Sequence, residues 1–270
     1  MRITVVVILL LLALAAGAPA GVLSGNIITN KTLTLADSPW LVTSDVEVRF
    51  GATLTVEPGA EVVFEGSYRI VTDGNAASAI VAVGTPADSI VFRSANPTPG
   101  PEDWERIEVF NSNGSAFTHC IFRHADVALW ISNCSPAIEF CTFRENEINL
   151  RCVNADPPIQ SCTITNWEFI GIFLQNGSSP TIRECNIFRG GSGVRQGESI
   201  YLVVYNPPTM VTIDATRNWW GTTDLEEIEA AIHHSEDDEN IWGTVDFAPP
   251  LEQVPVENMS WGAIKLLFKD

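Results

Sequence analysis

Basic residues are scarce in this chain: 15 Lys and Arg stand against 33 Asp and Glu, for a formal charge of −18. No stretch gathers Lys or Arg into a cluster, so a nucleic-acid or anionic-lipid partner is excluded on electrostatic grounds. Calcium-dependent adhesion suits an acidic exterior, but a solubilising shell over an aggregation-prone β-core accounts for it more simply. The six cysteines include no CxxC pair, which removes the usual zinc spacing. The four histidines, His119, His124, His233 and His234, have no nucleophilic-triad setting. Asp237-Asp238-Glu239 lacks the spaced ligands of a calcium loop and reads as a solvated turn, because three consecutive acids diverge. Beyond the first 20 residues no apolar run approaches the roughly 20 residues a bilayer span needs.

Those first residues read as a secretory signal peptide over 1–20. Arg2 supplies the positive start, Ile3 to Ala16 the apolar run, and Ala18-Pro19-Ala20 the small residues of a cleavage site after Ala20. Cleavage leaves 250 of the 270 residues and takes the formal charge to −19. The expected product is exported, either secreted or held at the cell envelope, and has no membrane span once the signal is removed.

What the sequence does have is a period. Cys120, Cys141, Cys162 and Cys185 are spaced by 21, 21 and 23 residues. Each sits in a similar phrase: Ala-Phe-Thr-His-Cys-Ile-Phe-Arg, Ala-Ile-Glu-Phe-Cys-Thr-Phe-Arg, Pro-Ile-Gln-Ser-Cys-Thr-Ile-Thr and Thr-Ile-Arg-Glu-Cys-Asn-Ile-Phe. A unit of that length, rich in β-branched and aromatic residues and broken by Asn, Gly, Ser and Pro, suits one coil of a β-solenoid. After each of the first three phrases comes an alternating stretch: Val127, Leu129, Ile131; Ile148, Leu150, Cys152; Ile170, Ile172, Leu174. Period-2 alternation places each set on one face, so stacked coils are expected to bury a continuous column. No helical segment separates successive strands, which favours a parallel β-helix over a βαβ sheet. A β-sandwich of hairpins would not repeat a 21-residue phrase.

Ahead of the regular coils, which run from about Asp103 to Pro208, the segment 21–44 carries Leu33, Leu35, Trp40, Leu41 and Val42. Strand-like alternation then follows through Val46, Val48, Phe50, Leu54, Val56 and Val63, with Gly51 and Pro58-Gly59 as turns. At the other end, Leu225, Ile228 and Ile232 at helical spacing predict a short capping helix over Leu225 to His233. Thr223 or Asp224 is its N-cap, and His233-His234 closes it. A final strand is expected near Val245 to Phe247. The tail 252–270 is expected to dock on the cap or to serve as an export or anchoring tail. The sequons at Asn30, Asn113, Asn133, Asn176 and Asn258 read as turn residues.

Gly51 to Phe64, Val81 to Ala95 and Asn218-Trp-Trp-Gly-Thr-Thr-Asp224, together with the Cys phrases, resemble bacterial secreted right-handed parallel β-helix repeat proteins of the pectin-lyase-like superfamily. The resemblance covers most of residues 40–251. It implies an all-β, single-stranded right-handed parallel β-helix with a short C-terminal capping helix, so the domain is placed at 21–251 including caps. Polysaccharide lyases, hydrolases, adhesins and proteins without assigned activity share this fold, so the fold alone names no function.

Lyases of that superfamily hold Ca²⁺ with acids on neighbouring coils and abstract a proton with Arg or Lys. Here Asp126 and Glu147 fall one coil apart, flanked by Trp130 and Arg151, and make the one carbohydrate-contacting patch the sequence offers. A solvated outer face explains the same four residues. The dense acid clusters of the family are not visible, so no catalytic residue, metal ligand or cofactor is assigned, Ca²⁺ being the ion the resemblance would allow. Cys120, Cys141, Cys162 and Cys185 read as an interior ladder of free thiols, because in-register Cβ atoms stand farther apart than a disulfide favours. Cys134, near a turn, is the thiol expected to be exposed. Trp219 and Trp220 suit cap packing. The leading reading is a monomeric non-catalytic binding or structural module facing polysaccharide or another cell-envelope component. The alternative is a polysaccharide lyase or glycoside hydrolase.

Overall fold

The computed structural model describes residues 20–189, 200–205, 210–237 and 242–252. The leader, apart from Ala20, the tail beyond Glu252 and part of the acidic loop at 235–240 lie outside them. Every strand pairing is parallel, and the strands form a three-faced coil, a parallel β-helix. Face A holds nine strands, from Lys31–Leu33 through Ala116–Thr118 and Ile138–Glu139 to Thr244–Asp246. Face B runs from Glu61–Phe64 through Cys120–Phe122, Thr142–Phe143 and Thr163–Thr165 to Asn186–Phe188. Face C runs from Arg69–Thr72 through Trp104–Phe110, Ala125–Ser132, Ile148–Val153 and Ile170–Gln175 to Ile200–Tyr205 and Ile232–His233. The long strand Trp40–Val48 bends across faces B and C and joins them, since Trp40 pairs with Val62 while Val46 pairs with Ile70.

Corners between the faces are single residues in the left-handed region. His119, Phe140, Ser161, Glu184 and Arg217 turn face A into face B, and His124, Glu145 and Asn166 turn B into C. Asn111, Asn133, Asn154 and Asn176 end the strands of face C. Asn tolerates this conformation well, and stacked copies bond one another: Asn154 Nδ2 donates to Asn133 Oδ1 at 2.7 Å. The corner backbone stays in the ladder too, with Phe140 N–H donating to the Gln160 carbonyl at 3.1 Å. Asn133 and Asn176, two of the sequon residues, are thus corner residues.

The interior is a set of columns along the coil axis. Phe92, Phe122 and Phe143 stack at 4.9 and 4.8 Å, and Phe64 stacks on Trp104 at 4.2 Å. Cys120, Cys141, Cys162 and Cys185 form a buried column of free thiols, and Sγ of Cys162 donates to the Gln160 carbonyl at 3.3 Å. Cys134 is also buried, contrary to the expectation of an exposed thiol, because its coil folds it over the Val109 carbonyl. Burial pushes the thiols of Cys134, Cys141, Cys152, Cys162 and Cys185 above the ordinary cysteine range. A neutral thiol is a poor nucleophile. A thiol reagent at neutral pH should therefore label none of the six in the native protein during the time it labels all six in guanidinium. Fast modification of Cys141 or Cys162 would contradict the buried column.

Buried asparagines bridge the coils at two places among the described residues. Asn146 accepts from Ala125 N–H at 2.8 Å and donates to the Phe122 carbonyl and to Asn149 Oδ1, while Asn149 donates to the Thr165 carbonyl at 3.1 Å. Asn218 accepts from Cys185 N–H at 2.8 Å and donates to the carbonyls of Ile182 and Ala215, each at 2.7 Å. All three asparagines are fully buried and bridge coils whose corners leave backbone groups without ladder partners.

Further sequence expectations are corrected at the ends of the coil. The capping helix is five residues, Leu225–Glu229, with Asp224 as N-cap accepting from Glu226 and Glu227. Ile232–His233 instead extends face C by pairing with Leu202 and Val203, which satisfies an otherwise open strand edge. His233-His234 therefore does not close a helix. Leu35 and Phe50 are exposed, Phe50 as a left-handed corner residue beneath the Arg49 guanidinium. Trp220 is buried in the core, and Trp219 bridges to Asn186 through its backbone.

Candidate functional site

One more departure from the sequence expectation creates the candidate site. Leu129 and Ile131 point inward, as do Leu150 and Cys152 and then Ile172 and Leu174, but the first member of each triplet does not join this core. Val127, Ile148, Ile170 and Val203 form a separate buried cluster with Trp130 and Phe173 packed on it. The cause is a register shift between Val127 and Leu129 against the preceding strand, which breaks period-2 alternation at Ala128. The in-register residues on the next two coils are Asn149 and Gly171. At Gly171 a Cβ would meet the Tyr201 carbonyl at 2.6 Å and the Trp167 ring at 3.3 Å, so the irregularity requires glycine there. The outer surface of face C thereby acquires an apolar floor.

On that floor stands a ladder. Glu108, Trp130, Arg151, Phe173 and Val203 are direct cross-strand neighbours on five successive coils. The Arg151 guanidinium lies 3.8 Å from the Trp130 ring centre and 5.4 Å from that of Phe173, and Arg106 approaches Trp130 at 5.1 Å. Cation–π pairs of this kind contribute roughly 0.5–2 kcal/mol each, more as they are desolvated. Arg106 is held by Glu108 at 2.9 Å and Glu105 at 3.0 Å, and Arg151 Nε donates to Gln175 Oε1 at 2.8 Å. Burial lowers the pKa of Arg151 below the usual guanidinium value, with Arg106 adding to that and Asp126 and Glu108 opposing it.

Of the four residues singled out from sequence, Trp130 and Arg151 are thus in direct contact, and Asp126 is near enough to act on the Arg151 charge. Glu147 holds the position equivalent to Asp126 on the next coil, since Val127 pairs with Ile148. Arg106, Phe173 and Gln175 belong to the same surface and were not picked out from the sequence. The signal for them was present, because Arg106 precedes Val127 by one 21-residue period and Phe173 follows Arg151 by 22. The stack also alters what Trp130 offers. Its neighbours along the axis are guanidinium groups, which stand against the ring, and the indole Nε1 is enclosed.

Two shallow cavities lie elsewhere. One of about 230 Å³ is lined by Pro158, Gln160, Thr181, Arg183, Glu184 and Arg217, and one of about 450 Å³ borders the capping helix at Leu225, Glu229 and Phe247. Neither contains any of the four predicted contacts. Beside the helix, ligand atoms of Glu229, His234 and Glu236 lie within 4.8 Å of one another. The buried His234 ring accepts the Val245 N–H at Nδ1, at 3.3 Å, and meets Glu229 Oε1 with Nε2 at 2.6 Å. The proton therefore sits on Nε2, and a cation there would force a proton onto Nδ1 against the Val245 N–H. The arrangement clasps the helix to the last strand.

Residues 103–213 match the family model of the right handed beta helix region, so the coil is a β-helix repeat with right-handed winding. Over 87 residues the chain is 34% identical to Protein bark beetle of Drosophila melanogaster, a match covering 30% of this chain and 3% of that protein. No solved structure matches.

Proposed function

We propose that the chain is an exported β-helix of the pectin-lyase-like kind found in bacteria, acting as a non-catalytic binding or structural module at the cell envelope or outside the cell and facing polysaccharide. The supporting observation is the ladder of Arg106, Trp130, Arg151 and Phe173 on face C. It stands on rigid strands, so a ligand would meet it without paying to order it. It repeats once per coil, at the roughly 4.8 Å strand spacing, which suits a ligand extended along the axis. A lyase or hydrolase needs an acid or base free to exchange a proton at the substrate. Here Arg151 is spent on two rings and on Gln175, which favours binding over turnover.

Screening acidic and neutral polysaccharides and envelope fractions, for both binding and cleavage, with and without Ca²⁺, tests this reading. Binding without cleavage is expected. Background binding throughout would sink it. Cleavage that disappears in Asp126→Ala and Glu147→Ala would replace it with the enzyme reading.

A further inference from the structure

The sequence repeats a dipeptide on face B: Phe92-Arg93, Phe122-Arg123 and Phe143-Arg144. The phenylalanines are the inward stack, and they are in register, Phe92 with Phe122 and Phe122 with Phe143. The arginine that follows each one therefore belongs to a column on the outside of the same coils. Three like charges at the spacing of adjacent strands repel, so each needs an anion.

The protein's own acids cover this column unevenly. Arg93 donates twice to Glu61 Oε2, at 3.0 and 2.8 Å. Arg144 is only 5% exposed, yet its nearest carboxylate oxygen, on Glu145, is 3.6 Å away, beyond hydrogen-bond reach, and its Nε is enclosed without a partner. His124, 6% exposed, competes for the same carboxylate at 3.5 Å, and its Nδ1 is likewise enclosed without a partner. Between them, the half-buried Arg123 side chain makes no hydrogen bond or ion pair with any described residue, and its Nε is enclosed too. Glu145 is thus shared by Arg144 and His124, while Arg123 feels Glu145 and Glu61 only through space, with no direct bond to either. Burial, above all, and the neighbouring Arg144 lower the pKa of Arg123, against the opposing pull of Glu145 and Glu61 at longer range. Native structures rarely leave several enclosed donors unsatisfied in one place, because each costs free energy comparable to a lost hydrogen bond.

We propose that Arg123 and Arg144 form a binding site for one oxyanion group, a carboxylate, sulfate or phosphate, at the corner between faces B and C. Guanidinium groups bind such oxygens in pairs, and a bound oxyanion supplies the negative charge that Glu145 alone does not. The site stands apart from the ladder on face C. It requires only the oxyanion, whether free in solution or carried on a larger ligand, and does not depend on the polysaccharide reading.

The test titrates the wild-type protein with sodium sulfate, phosphate and acetate, each against sodium chloride at matched ionic strength, while following the arginine Nε–H resonances by NMR. Saturable shifts at Arg123 and Arg144, absent with chloride, are expected, and the order of affinity identifies which oxyanion source the site prefers. Arg123→Lys, which keeps the charge and so the fold, should weaken the preferred anion about tenfold, the effect of losing one charge-assisted pair. Arg183→Gln, on exposed face A, should leave it unchanged. Shifts that follow ionic strength alike for all four salts, or an unaltered affinity in Arg123→Lys, would overturn the proposal.

Discussion

Replacing Asn218 with leucine will lower the stability of the C-terminal coils by about 3–5 kcal/mol, the cost of stranding two or three buried polar groups. The substitution keeps the number and branching of the side-chain heavy atoms, so no cavity enters the balance. What is lost are the acceptor for Cys185 N–H and the donors to the Ile182 and Ala215 carbonyls. These three groups come from two neighbouring coils, and water has no route to them because the site is fully buried. A solenoid's stability is close to a sum over neighbouring coils, so the damage should stay local. Hydrogen exchange should speed up at Ile182, Cys185 and Ala215 while amides near Val62 and Phe92 keep their protection. Uniform loss of protection along the chain would show instead that the coil unfolds as one unit. Protection unchanged at Cys185 would mean that the asparagine bridge is not formed.

Phe122→Ala will have an effect of similar size from a different cause. The ring lies between Phe92 and Phe143 at 4.9 and 4.8 Å, with Phe117 at its edge, and it is fully buried. Truncating a phenylalanine in a close-packed interior costs about 3–5 kcal/mol, part in lost transfer energy and part in the cavity left behind. Phe122 is mid-column, so the cavity separates the coils before it from those after it, and denaturation should resolve into two steps. Phe122→Leu, which fills most of the space, should cost about 1–1.5 kcal/mol and keep one transition. A loss below about 1 kcal/mol for Phe122→Ala would contradict the stacked column.

The architecture was legible because repetition multiplies weak signals. One Phe-Thr-His-Cys phrase says little, whereas four near-equal spacings specify coils, and the inward positions of Leu129, Leu150 and Ile172 follow from them. Local departures were not legible for the same reason. The irregularity is an extra residue, Ala128, that shows only in the pairing with the preceding strand, and Val127, Ile148 and Ile170 lie outward although their alternation reads as core. Helical spacing of Leu225, Ile228 and Ile232 was real. The strand partner available at Leu202 nevertheless outweighs a weak local helix preference, and Ile232 is buried either way. The site divides similarly. Trp130 and Arg151 could be paired by period, but Arg106 aligns by period with Val127, and that it also approaches the indole is seen only in the fold. The column of arginines on face B was visible as a repeated Phe-Arg dipeptide. Which members lack an acid partner depends on where Glu61 and Glu145 reach, and only the folded arrangement supplies that.

The binding role proposed for face C rests most directly on Arg151, which joins both rings of the ladder on the outer surface. The decisive measurement compares polysaccharide binding by the wild type and by Arg151→Ala, with hydrogen exchange confirming an intact coil. Affinity reduced about fivefold or more, a loss of about 1 kcal/mol or more, with the core amides still protected, is the predicted result. Equal affinity in the two proteins would contradict it.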